Sequence, residues 1–399
     1  MIGSNRVNEV FIIDALRTAV GSLNGTLAGT PATELGRIVL EVLLRKHGLA
    51  GEAVDEVILG CVLQAGLGQN VARQSAIAAG IPVGKTAMTV NMVCGSGLRA
   101  VTLAAAAIRS GEAQVMLAGG TENMSAAPYL LPKARGGYRL GHDQLVDAIL
   151  QDGLQDVFNQ CHMGMTAENL AAKYGITRQQ QDEFAAASQQ KAQAAIAAGR
   201  FRDEIVPVLI PQRKSDPIRF EQDEFPRPGT TVEKLAALKP AFKPDGTVTA
   251  GNASGINDGA AAALLAGEDA CRRYSLQPMA RVVSWACAGV DPAVMGIGPV
   301  EAVRKTLDAA GWKLADVQLI EANEAFAAQS LALAKELSWD LAIVNVNGGA
   351  IALGHPIGAS GARILTTLLH EMKRRSLRKG LATLCIGGGM GIAACVEMV

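Results

Sequence analysis

The chain is poor in aromatic side chains, which form 4% of its 399 residues, and has no surplus charge, since 37 basic residues stand against 37 acidic ones. That balance removes the net field that would draw nucleic acid or an anionic membrane surface. No stretch approaches the ~18 uncharged apolar residues of a membrane span. The early run Val10-Phe11-Ile12-Ile13 is too short for a signal-peptide core. A cytoplasmic protein with no nucleic-acid or membrane partner is expected. Cys-x-x-Cys pairs are also missing. The seven cysteines, at 61, 94, 161, 271, 287, 385 and 395, are odd in number and scattered, so neither a disulfide framework nor a zinc site is indicated and no metal is expected.

What the chain has is small aliphatic residues and glycine in a repeating order. Hydrophobic residues make up 49% of it, enough for two or three packed domains. A helix from Leu35 to Lys46 ends near Gly48 and leads through Val54-Asp55 into the strand Glu56 to Leu59. A second helix, Val300 to Ala310, ends near Gly311 and leads through Ala315-Asp316 into Val317 to Ile320. Val90-Asn91 precedes Ser96-Gly97-Leu98-Arg99 as Val344-Asn345 precedes Ser360-Gly361-Ala362-Arg363, and each Ser-Gly-x-Arg opens a long aliphatic helix. Two similar α/β halves follow, with near-continuous apolar strands that need helices on both faces, hence two sheets stacked through shared helices. We place the N-terminal half at 1–120 with 249–275 and the C-terminal half at 276–399. Between them, 121–248 is rich in proline and carries one helix, Arg178 to Ala198; it reads as an inserted loop or lid domain.

Three glycine-framed segments carry the chemistry. Cys94, in Val93-Cys94-Gly95-Ser96-Gly97, precedes an alanine-rich helix, so unpaired N–H groups and the positive helix end would lower its thiol pKa. His355, in Gly354-His355-Pro356-Ile357-Gly358, sits on a turn made rigid by proline and reads as a general base. Cys385 closes an apolar strand before Gly387-Gly388-Gly389, a loop able to aim N–H donors at an oxyanion. Asn323, in Glu321-Ala322-Asn323-Glu324, lies just past a strand of the second half, where catalytic groups collect in α/β folds. Each has a structural reading beside the functional one: core thiols for the cysteines, a structural or solvated ring for the histidine, a helix cap for the asparagine.

Taken together, Asn91-Met92-Val93-Cys94-Gly95-Ser96-Gly97, Asn323-Glu324-Ala325-Phe326-Ala327, Gly348 to Gly361 and Cys385 to Gly391 resemble the signatures of the thiolase family, in sequence order and across essentially the whole chain. The stretch Thr247 to Ala262 adds a fifth match. The resemblance implies a five-layered α-β-α-β-α fold and the reversible condensation of two acetyl-CoA to acetoacetyl-CoA plus CoA, by a ping-pong route through an acetyl-cysteine. Cys94 would be the nucleophile, His355 its activator, and Cys385 the group that moves the proton to and from Cα. Asn323 would hold a water that, with His355, forms one oxyanion hole; the N–H groups of Cys94 and Gly387 would form the other. Cys161-His162-Met163-Gly164 matches the short-chain, biosynthetic type. By the same resemblance Leu154, His162, Met163, Phe242, Met295, Ala325 and Phe326 would line the pantetheine tunnel, although the apolar ones read equally as core. Ser254 would bond pantetheine and Arg227 would lie against the CoA nucleotide. The partners implied are acetyl-CoA, acetoacetyl-CoA and CoA, with no permanently bound cofactor. Residues 133–139 resemble the loop through which members associate, which implies a homotetramer built as a dimer of dimers.

Other readings stay open at this point. A degradative 3-ketoacyl-CoA thiolase of broader chain length would use the same mechanism with a wider tunnel. A β-ketoacyl synthase would have a second histidine where Cys385 stands, and a non-catalytic acyl carrier would have lost a catalytic side chain. A thiol redox protein would form a Cys94 to Cys385 disulfide and leave His355 and Asn323 idle.

Overall fold

A computed structural model describes residues 8–399, so the first seven residues of the expected N-terminal half lie outside the described residues. Nine strands run in one continuous hydrogen-bonded path. They are β1 (Val10–Thr18), β2 (Glu56–Gly60), β3 (Thr86–Val90), β4 (Val115–Asn123), β5 (Asn257–Gly267), β6 (Ala280–Gly289), β7 (Leu319–Ala322), β8 (Lys379–Ile386) and β9 (Met390–Met398), in the order β7-β8-β9-β6-β1-β5-β4-β2-β3. The path contains both parallel pairs, such as β2 with β4, and antiparallel ones, such as β5 with β4.

The repeat seen in the sequence is visible in this order. Strands β2-β4-β5-β1 of the first half correspond in order to β7-β8-β9-β6 of the second, and β3 corresponds to the segment at Val344. The fifth strand of the second half is reduced to a single bridge, Ile320 to Val344. The two sheets, expected as separate stacked layers, are joined along one seam where Phe11 and Ile12 pair with Arg281 and Ala280. The last strand of the repeat also starts later than its sequence indicates: residues 314–316 form a single 3-10 turn, and β7 begins at Leu319.

Helices complete the layers. The outer face of the first half is covered by α1 (Ala32–Lys46) and α2 (Val71–Ala78), whose leucines, valines and alanines bury against Leu117, Leu264 and Phe11. Between the sheets lie α3 (Ser96–Ser110) and, later in the chain, α8 (Ser360–Arg375). Their apolar faces fill a shared core with Ile12, Met116 and Leu265 on one side and Leu384, Ile392 and Val396 on the other. The crossover region supplies α4 (Met163–Tyr174) and α5 (Arg178–Ala197), the latter opened by a Thr177–Gln180 capping box. The outer face of the second half is covered by α6 (Gly298–Ala310) and α7 (Ala327–Leu337). The result is five layers, α-β-α-β-α.

The Ser-Gly-x-Arg repeats explain how the two middle helices meet. A Cβ at Gly97 would stand 2.8 Å from the Ala362 nitrogen, and one at Gly361 would stand 2.3 Å from the Leu98 nitrogen. Only bare backbone lets the first turns of α3 and α8 touch. Because Cys94 lies just before α3 and His355 just before α8, that contact brings both loops to one place.

Candidate active site

The backbone before Cys94 is strained. Val93, a β-branched residue, has φ 45°, in the left-handed region such side chains avoid. The turn is closed by Ser96, whose Oγ accepts from the Met92 N–H (2.8 Å) and donates to the Val93 carbonyl (2.6 Å). Cys94 is therefore held at the mouth of α3 by local bonds. Beside it, Gly95 lies against the strand that carries Cys385: a Cβ there would stand 2.4 Å from Ile386 Cδ1.

The same device recurs in the second half. His355 is buried, and its Nδ1 lies 2.6 Å from Ser360 Oγ, which itself donates to the Pro356 carbonyl at 2.8 Å. With its one proton spent on that carbonyl, the serine oxygen accepts from Nδ1–H. The proton is thus on Nδ1, and Nε2 carries the lone pair. Asn323 Nδ2–H donates to Nε2 at 3.3 Å, while Asn323 Oδ1 is buried with no partner among the described residues. A neutral ring with an unprotonated Nε2 is the form that takes a proton.

The electrostatics correct one expectation. The Cys94 thiol is not lowered by its helix end. Burial pushes it up to about 11, against the opposing pull of the Gly387 and Cys94 N–H groups that face its sulfur. Those two amides are the donors expected to form one oxyanion hole. Burial, and then the charge of Arg363, lowers His355 to about 3, so no imidazolium is present to stabilise a standing thiolate. Cys385 is 1% exposed, and burial together with neighbouring Cys94 raises its thiol far above the usual range. Both thiols rest protonated.

A cavity of 860 Å³ is lined at one side by His355 and Ile357, while Cys94, Cys385 and Asn323 are not among its lining residues. Of the residues expected to bind substrate, Leu154, His162, Arg227, Phe242, Ser254 and Phe326 line it. Met163, Met295 and Ala325 are not among its lining residues; they pack with Phe326 and Cys385 in one buried apolar cluster. The His162 ring stacks on Phe242 (centroids 4.5 Å apart), and Phe242 meets Phe326 edge-on. Gly164 permits this, since a Cβ there would stand 2.2 Å from the Phe242 ring. Sequence reasoning missed Met124, Phe225 and Ile357 in the wall, and missed Glu122 and Asn257, which hold the His355 turn. Asn257 lay inside a motif already noticed; Glu122 had as its signal only a charge at the end of an otherwise apolar strand.

Residues 10–269 match the model of the thiolase N-terminal domain, and residues 276–398 match that of the thiolase C-terminal domain. The chain belongs to the thiolase family. Among relatives of this thiolase, an acetyl-CoA acetyltransferase of Pseudomonas aeruginosa is 65% identical over 97% of the chain and 98% of its own length. One from Chromobacterium violaceum is 61% identical over 98% of the chain and 99% of its own. The crystal structure of the Bacillus anthracis acetyl-CoA acetyltransferase superposes with a TM-score of 0.97 at 47% identity, covering 99% of this chain and 100% of that one. Human mitochondrial 3-ketoacyl-CoA thiolase superposes with a TM-score of 0.95 at 44% identity, covering 98% and 99%. Among the described residues no helix of the thiolase is long and apolar enough to cross a membrane.

Proposed function

We propose that this thiolase is an acetyl-CoA C-acetyltransferase that reversibly joins two acetyl-CoA into acetoacetyl-CoA and CoA. The observation that carries the reading is the His355 tautomer, with Nε2 unprotonated beside Asn323 and its loop packed against that of Cys94. Because both thiols rest protonated, attack and proton transfer are coupled. As Cys94 Sγ bonds to the carbonyl carbon of the first acetyl-CoA, its proton passes to His355 Nε2. The CoA thiolate then leaves with the proton of Cys385. The Cys385 thiolate, a strong base because burial disfavours its charge, takes a proton from Cα of the second acetyl-CoA. The resulting enolate attacks the acetyl carbon, and Cys94 departs with the proton held by His355. The Cys94 and Gly387 amides stabilise the tetrahedral oxyanion, while His355 and a water on Asn323 stabilise the enolate.

The acetyl preference is supported by the relatives, named acetyl-CoA acetyltransferases at 57–65% identity, and by Met163 and Met295 filling space around Cys385. The fold itself does not separate this reading from a longer-chain thiolase, since the human 3-ketoacyl-CoA enzyme superposes nearly as well. We assign the walls of the cavity to pantetheine, Arg227 at its rim to the CoA nucleotide, and no permanently bound cofactor. The deciding experiment is a thiolysis series on 3-ketoacyl-CoA of rising chain length, with peptide mass spectrometry after acetyl-CoA. Rapid turnover of acetoacetyl-CoA, steep loss with length and acetylation of the Cys94 peptide are expected. Comparable rates on long chains would defeat the acetyl preference, and an unmodified Cys94 would defeat the mechanism.

A further inference from the structure

The His355 turn belongs to the second half, yet both side chains that accept from its backbone N–H groups come from the first. At its start, Asn257 Oδ1 on β5 accepts from the His355 N–H at 2.9 Å; at its end, Glu122 Oε2 on β4 accepts from the Gly358 N–H at 2.9 Å. The two strands are neighbours, with Glu122 opposite Gly259. Glu122 also accepts from the N–H groups of Val62 (3.0 Å) and Leu63 (3.1 Å), and the Cys61 thiol lies 3.5 Å from its other oxygen. The carboxylate is wholly buried, with four donors and, among the described residues, no cation. Close contact completes the grip: a Cβ at Gly120 would stand 2.0 Å from the Gly358 carbonyl oxygen, and one at Gly60 2.8 Å from it. An unpaired buried carboxylate is costly, and a leucine or methionine would fill the space at less cost. The acceptor geometry is therefore the reason to look for a role beyond packing.

We propose that Glu122 is a positioning residue for the reaction: by binding the Gly358 N–H together with those of Val62 and Leu63, it fixes the His355 turn against the half that carries Cys94. The rigid turn transmits this over a short path, since Pro356 and the Ser360 bonds leave little freedom between Gly358 and the imidazole. The inference rests on Cys94 and His355 acting as a pair, as assigned under the proposed function.

The test uses two variants and two assays. Glu122→Met keeps the volume and removes both acceptors; Glu122→Gln keeps one. In acetoacetyl-CoA thiolysis, kcat is expected to fall about a hundredfold for Met and about tenfold for Gln, as for a misplacement of the order of 1 Å. KM should stay within about threefold, since Glu122 itself does not line the cavity. The second assay is the rate of Cys94 alkylation by iodoacetamide, read by peptide mass spectrometry, which needs no CoA thioester. Glu122→Met should slow it to the rate of His355→Ala, and the double variant should be no slower than His355→Ala alone, because Glu122 acts through His355. Additive slowing, or wild-type kcat and alkylation in a variant that melts cooperatively, would overturn the proposal. So would the failure of both variants to fold, which would make Glu122 a residue of the core. A wild-type enzyme that shows His355-dependent alkylation but no thiolysis would sink the proposed function, while the alkylation comparison still decides the role of Glu122.

Discussion

At the scale of single residues, the site was legible where chemistry leaves a local mark. Cys94, His355 and Cys385 stand out because glycine beside a reactive group has few other uses. Their protonation was not legible, because it depends on burial by segments hundreds of residues away. The helix end that should have lowered the Cys94 thiol is outweighed once protein surrounds the sulfur. Two predictions belong here. Cys94→Ala should lower acetoacetyl-CoA thiolysis by at least about ten-thousandfold, as expected for loss of a covalent nucleophile, with an unchanged melting temperature. The second concerns His355. Its folded pKa of about 3 lies below the ordinary value of 6.5, so between those limits the unfolded chain binds the proton that the folded one refuses. Its contribution is intact above pH 6.5 and is lost as pH falls toward 3. Between pH 8 and pH 5 the wild type should therefore lose about 2 kcal/mol more stability than His355→Ala. Parallel denaturant titrations at the two pH values measure the difference, and equal losses would mean that the ring is charged in the folded state.

Among elements, helix and strand identity was readable from periodicity and from glycine or proline at the ends, and the internal repeat gave two halves. The seam between β1 and β6 was not, since nothing in Val10–Thr18 or Ala280–Gly289 says which strand each will pair with at its outer edge. Nor was the reduction of the second half's fifth strand to one bridge at Val344: the loop from Val344 to Ser360 is longer than that from Val90 to Ser96, and it carries the His355 turn in place of a strand. The packing of that turn on β4 makes a sharp prediction about two glycines that look alike in sequence. Gly120→Ala would press a methyl into the Gly358 backbone and should cost at least about 3 kcal/mol, because neither backbone can move without displacing the other half. Gly29→Ala meets nothing within 4 Å and should be neutral or stabilise by up to about 1 kcal/mol. Thermal melts of the two variants decide it; similar behaviour would mean that the halves are not locked together at this point.

At the scale of the whole molecule, one excursion of the chain stands outside the layers and the site. Tyr129–Leu130 pairs with Val146–Asp147, and the chain between them stands away from the body on that two-stranded neck. Leu131 is 52% exposed, Tyr138 41% and Leu140 fully so, a cluster of large apolar side chains that a lone subunit would leave in water. This is the segment whose sequence resembles the association loop of thiolases, through which the dimer of dimers expected from the sequence would form. None of its residues from 131 to 145 lines the cavity, so assembly and chemistry should separate. Replacing 132–144 by a short Gly-Ser turn that closes the neck should leave kcat on acetoacetyl-CoA within about threefold, by the additivity of distant sites. The mass measured by light scattering should fall from four times the 41.4 kDa chain to twice it. A wild-type mass below fourfold, or a mass that the replacement leaves unchanged, would defeat the expected contact. A loss of activity in step with the mass would mean that the cavity needs the second dimer to keep its shape.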